Sequence, residues 1–214
     1  MEMRRIKITL LEEMLGTTPS NQEIYRDFIG SKAPDASTVE DEIAAIGADA
    51  VAEKGRTVFS RMPDGRPFLY DYHIKGFMKD ACSMLARLTG KDETGKKKAA
   101  VNESSKLKAY KKIIDGLIFI GERQIPIVFD GNCGDCQRPL RAQTAQGERV
   151  SLASSETVPA GATMEFCIIC LDPSHWPAVE EWLNYGQLRG LGQWRNSGKG
   201  RFAWSYVTPG GKKP

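Results

Sequence analysis

Tyr185-Gly186-Gln187-Leu188-Arg189-Gly190-Leu191-Gly192-Gln193-Trp194-Arg195-Asn196-Ser197-Gly198-Lys199-Gly200-Arg201-Phe202 lies between an amphipathic segment, Trp176–Leu183, and an alternating one, Phe202–Val207. The first pattern predicts a helix and the second a strand, so the stretch is a helix-to-strand connection. Glycine permits positive φ and lets a ligand approach the main chain closely. Successive free N–H groups in such a turn form an anion-binding concavity. Arg189, Arg195, Lys199 and Arg201 add positive charge, which makes a phosphate backbone the expected ligand. The competing reading is a tight turn that binds nothing. Trp194 has two readings as well. An exposed indole stacks on a base, worth ~1–3 kcal/mol per base, or it packs back on the sheet and pins the loop.

Outward from this loop, Ala160-Gly161 opens a hydrophobic strand, Met164–Leu171, which leads into the helix. Asp172 or Ser174 is its expected cap, with Pro173 or Pro177 near the first turn. The order is strand, helix, glycine loop, strand. At the other end of the chain, Arg4–Leu11 alternates, with Ile6, Ile8 and Leu10 on one face and Lys7 and Thr9 on the other. Gly16–Ser20 is a turn. Gln22–Ile29 and Thr38–Ala52 are expected helices, and Arg56–Phe59 a short strand. After the turn Met62–Pro67 comes a strand, Phe68–Tyr72, and then a helix reaching Leu88. Phe77, Met78, Ala81, Leu85 and Leu88 form its apolar stripe. Lys75 and Lys79 are four apart and share a face.

Gly90–Ser105 is polar and aperiodic, an expected insertion; Lys96-Lys97-Lys98 is a solvated face or a basic arm over RNA. Gly116–Ile120 and Gln124–Phe129, with Gly121-Glu122-Arg123 between them, predict a hairpin whose Pro126 belongs on an edge. Arg138–Ala142 and Gly147–Ala153 predict a second hairpin around Gln146-Gly147.

The glycine spacing, Gly190-Leu191-Gly192, five residues, then Gly198-Lys199-Gly200, resembles the C-terminal glycine-rich loop of the RAMP superfamily. Those proteins are the RNA-recognition-motif-like subunits that bind guide RNA in CRISPR effector complexes. Ile74-Lys75-Gly76-Phe77-Met78-Lys79 is similar to the K-G-x-x-[RK] start of that family's first core helix. Tyr72-His73 stand where Pro-Gly-Ser often precedes it. The resemblance implies an α+β fold with a ferredoxin-like or RNA-recognition-motif-like antiparallel sheet and helices on one face. It would span residues 1–214, with insertions at about 22–67 and 90–105.

The implied function is RNA binding within a ribonucleoprotein assembly of protein subunits, with single-stranded DNA as a second candidate ligand. The expected contacts are Lys75, Lys79, Arg189, Gly190, Gly192, Trp194, Arg195, Asn196, Gly198, Lys199, Gly200 and Arg201. A second reading is a phage-type interaction protein, an anti-CRISPR that mimics such a subunit and inhibits the effector complex. A third is a metal-independent RNA endonuclease with His73 as general acid–base. Asp27 and Asp35 lie in the region where some RAMP proteins carry a cutting aspartate, but no motif transfers that role.

Composition sets the frame. The chain has 214 residues, 27% charged and 41% hydrophobic, with a net charge of +3. That charge permits nucleic-acid binding without demanding it. No apolar run approaches the ~18–20 residues that span a bilayer, and Met1-Glu2-Met3-Arg4-Arg5 is followed by no apolar leader. The five cysteines are an odd count, which fits reduced thiols in the cytoplasm. Cys133 and Cys136 have the spacing of a zinc half-site. Their partners would be Cys167 and Cys170, but the gap is about twice the ~15–20 residues of a common zinc ribbon. Cys167 and Cys170 also fall in a strand, where residues three apart face opposite ways. Core thiols and a free loop pair are the simpler expectation. There is no P-loop, G-x-S-x-G or H-E-x-x-H, and no cofactor is expected.

Overall fold

The alternation at the N-terminus becomes β1 (Glu2–Leu10), whose Ile6, Ile8 and Leu10 are almost wholly buried. The computed structural model describes residues 1–20, 56–88, 102–144 and 147–207, with backbone alone over 140–144 and 147–152. After β1 come β2 (Met14–Leu15), β3 (Thr18–Pro19), β4 (Thr57–Val58), β5 (Ser60–Arg61), β6 (Pro67–Tyr70) and helix α1 (Asp71–Leu85). Next are α2 (Glu103–Lys106), α3 (Tyr110–Leu117), β7 (Ile118–Ile120), β8 (Gln124–Pro126), β9 (Gly134–Thr144) and β10 (Gly147–Val158). The chain closes with β11 (Thr163–Cys170), α4 (Trp176–Arg189) and β12 (Phe202–Tyr206). The helices expected over 22–29 and 38–52, the lysine run 96–98, Asp27 and Asp35 lie outside the described residues.

The architecture is α+β with three sheets. The main one is antiparallel throughout, in the order β12-β1-β11-β7. Counted along the chain, its strands run fourth, first, third, second. The register sets Ile6 beside Phe166 and Ile8 beside Met164, so one face is continuously apolar. α1 and α4 cover that face with Ile74, Phe77 and Met78 from one and Val179, Trp182 and Leu183 from the other. α4 lies directly on β12 because Gly186 carries no side chain. A Cβ there would stand 2.5 Å from Phe202 Cε1. The opposite face carries Met3, Arg5, Lys7, Phe119 and Glu165, with Arg5 paired to Glu122 and Lys7 to Glu165.

The second sheet runs β2-β10-β4-β3, with β9 paired to β10. The expected hairpin over 138–153 is present and longer than its alternation suggests. The third sheet is β5-β6-β8. Residues 57–61 and 67 therefore supply strands to the smaller sheets. β3 and β4 pair with each other, and Ser20 N donates to Arg56 O at 2.9 Å.

The expected hairpin over 116–129 is not formed. Gly116 and Leu117 finish α3, because Tyr110, Ile114 and Leu117 recur at helical spacing and Ile114 is fully buried. β7 then pairs with β11, and β8 with β6. Pro126 does sit on an edge strand, where its missing N–H costs no ladder bond. The strand expected to reach Tyr72 stops at Tyr70, the N-cap of α1. Among the described residues no helix is long and apolar enough to cross a membrane.

Candidate nucleic-acid interface

The glycine stretch is an ordered connection from α4 to β12. Gly190, Gly192, Gly198 and Gly200 all take positive φ, between 71° and 81°. Leu191 N donates to Gly200 O at 2.8 Å, and Gly200 N to Glu13 O at 2.8 Å. Leu191 is the buried plug of the loop. Three of the glycines serve approach of the protein's own backbone. A Cβ on Gly190 would meet Lys199 O at 2.5 Å, and one on Gly192 would meet Leu15 O at 2.9 Å. A Cβ on Gly200 would overlap Leu191. Gly198 alone of the four is open, with Arg201 Cδ nearest at 3.8 Å.

Each of the four cations has an intramolecular partner. Arg189 Nε and Arg195 donate to the same oxygen, Asp80 Oδ2, at 2.9 and 2.7 Å. Arg189 also donates to Asn196 Oδ1 at 2.9 Å. Lys199 pairs with Glu13, and Arg201 Nε donates to Gln187 O at 2.6 Å. Burial raises the Asp80 pKa, but the Arg189 and Arg195 guanidiniums outweigh it and hold the carboxyl below its ordinary value. One carboxylate between two guanidiniums leaves a unit of positive charge at the loop.

α1 presents different residues to its two flanks. His73, Gly76 and Asp80 follow helical spacing toward the loop. A cleft of about 300 Å³ lies between Thr17, His73, Gly76, Gly192 and Arg195. Lys75 and Lys79 sit on the other flank. Lys79 pairs with Asp115 at 2.6 Å, and Lys75 lies 4.6 Å from the Phe119 ring centre. The structure therefore brings His73 to the glycine loop and keeps the two lysines apart from it. Asp80 was missed in the sequence, although its place four residues after Gly76 put it on the His73 flank.

His73 Nε2 is 3.1 Å from Thr17 Oγ1, while Nδ1 is buried without a well-aligned hydrogen bond. Burial lowers its pKa below the ordinary 6.5. The unfolded chain then takes this proton more readily than the folded one, so His73 costs stability as pH falls through the ordinary value. His73→Gln is expected to lose less stability than the parent between about pH 7 and about pH 5, measured by urea unfolding. Parallel pH profiles would show that His73 is not the group responsible.

Trp194 also takes positive φ, at 54°. It is 38% exposed, and the Arg138 guanidinium carbon lies 5.1 Å from its ring centre. A second cleft, about 370 Å³, is lined by Arg189, Gly192, Gln193, Trp194, Arg195 and Asn196. Arg138 had no local sequence signal, since only the pairing of β9 with β10 carries it to the loop.

The expected loop at Cys133–Cys136 is a strand from Gly134 onward, because the β9–β10 ladder extends to Gly134 opposite Thr157. Arg61 donates to Cys133 Sγ at 3.5 Å, and burial pushes that thiol up. Cys167 and Cys170 lie in β11, with Cys170 buried and its pKa pushed up to about 11. Among the described residues no three His, Cys, Asp or Glu side chains are placed to hold a metal ion.

No protein-family profile and no curated protein matches the chain. Among solved structures it is similar to a chain in the cryo-EM structure of the Type III-B Cmr-beta bound to cognate target RNA. The TM-score is 0.48 at 11% identity, covering 97% of this chain and 60% of that one.

Proposed function

We propose that the chain is an RNA-binding protein of the RAMP kind, working without catalysis beside other protein subunits. The strand order of the main sheet supports a ferredoxin-like core, with the glycine loop joining its last helix to its last strand. The observation that carries the reading is Asp80 shared by Arg189 and Arg195. It leaves net positive charge at the mouth of a cleft beside an exposed indole, and phosphate is the natural counter-charge.

The test is anisotropy binding of labelled single-stranded RNA across a salt series. Arg195→Ala and Lys199→Ala are each expected to weaken binding and to flatten the plot of log affinity against log salt by about 0.7–0.9. Unchanged affinity and slope in both variants would remove the loop from the interface. A protein partner is the second reading, that of an effector mimic. It is favoured by the internal pairing of all four loop cations, and it gains if the parent chain binds no RNA at low salt.

A further inference from the structure

We propose that Trp194 is a platform for one unpaired base, with Arg138 as the positioning residue beneath it. The inference rests on the nucleic-acid reading above and specifies its ligand as a single strand. Trp194 occupies left-handed backbone space, which a side chain other than glycine adopts only under constraint. Trp194 is 38% exposed and lines a cleft with Gln193, Arg195 and Asn196. A tryptophan that merely pinned the loop would be enclosed, as Trp176 and Trp182 are at 2% and 0% exposure.

Arg138 supplies the support. It is 8% exposed, although arginine is among the residues least often buried. Its NH2 donates to Gln193 Oε1 at 3.0 Å, and its NH1 to Ser155 Oγ at 3.5 Å. Both partners are neutral, so the guanidinium keeps its full charge against one face of the ring. The ring has two faces and Arg138 takes one. Trp194 also shares its cleft with Arg189 and Arg195, whose two charges only the one carboxylate of Asp80 offsets. A flat base tethered to a phosphate matches both features at once. Bases inside a duplex have both faces covered by their neighbours, so an unpaired strand is the form that fits.

The experiment titrates the full-length chain with a short oligouridylate, an abasic ribose-phosphate oligomer of equal length and a duplex of equal length. It reads both tryptophan fluorescence and anisotropy. The oligouridylate is expected to quench part of the emission, and Trp194→Phe to abolish that part. Trp194→Ala is expected to bind the oligouridylate about 5–140-fold more weakly while binding the abasic oligomer like the parent. Arg138→Gln, which keeps hydrogen-bonding groups toward Gln193 and Ser155, is expected to weaken oligouridylate binding at an unchanged salt slope. A fallen slope would make Arg138 a phosphate contact instead and overturn its role. Equal, salt-sensitive affinity for the abasic oligomer, or for the duplex, overturns the platform and leaves the phosphate reading standing. Absence of salt-sensitive binding to any of the three overturns both. Should Trp194→Ala not fold, the Trp194→Phe quench and the abasic comparison still decide.

Discussion

Gly200→Ala is expected to lower the free energy of unfolding by about 3 kcal/mol, from left-handed backbone cost and overpacking together. Gly200 has φ of 71°, and a Cβ there would run into Leu191, with its carbonyl carbon at 2.9 Å and its nitrogen at 3.0 Å. Those atoms cannot yield cheaply. Leu191 is buried, and its N–H is bonded to Gly200 O. Gly198→Ala is the control, since its φ is 81° but no atom lies nearer than 3.8 Å. It should cost only about 1 kcal/mol, the backbone component alone. Urea unfolding would show the contrast as two different midpoint shifts at a common slope. Equal shifts would mean that the base of the loop is not packed as described.

Trp182→Ala is expected to cost about 3–5 kcal/mol, in the range of large aromatic truncations in a core. Trp182 is fully buried on α4, and its Nε1 donates to Ser104 Oγ at 2.9 Å. Ser104 in turn donates to Glu181 Oε2 from its amide at 2.9 Å and from its hydroxyl at 2.5 Å. Adjacent residues of α4 thus hold the first turn of α2, a helix of four residues that cannot stand alone. Trp182→Phe keeps much of the volume but leaves the Ser104 hydroxyl without its donor, and should lose about 1–3 kcal/mol. Chemical denaturation of both variants checks the order. A loss below about 1 kcal/mol for Trp182→Ala would contradict its place in the core.

Local pattern carried β1, α1, β11, α4 and β12, because each buries one face and its apolar residues recur at the matching period. It failed where partners are remote. Ile118-Phe119-Ile120 and Gln124-Ile125-Pro126 are near neighbours in the chain and apolar enough to pair. They instead add to different sheets, since β11 and β6 offer longer buried edges than they offer each other. The loop's composition and its positive φ values were legible, because glycine spacing is a local property. The partners of its cations were not. Asp80 lies 109 residues from Arg189, and Glu13 lies 186 from Lys199. Charge counted along the sequence therefore overstated the free positive charge of the loop. Lys75 and Lys79 were correctly placed on one helix face, but which flank met the loop depended on the packing of α1 against the sheet.

The hydrogen bond from Ser20 to Arg56 has a bearing on how this protein tolerates change in length. The chain leaves the second sheet at β3 and re-enters it at β4, and those two strands are already zipped together at the point of exit. The entropy of bringing the two ends together grows only as the logarithm of the span between them. Doubling the number of residues between Ser20 and Arg56 would therefore add only about 0.6 kcal/mol of closure entropy.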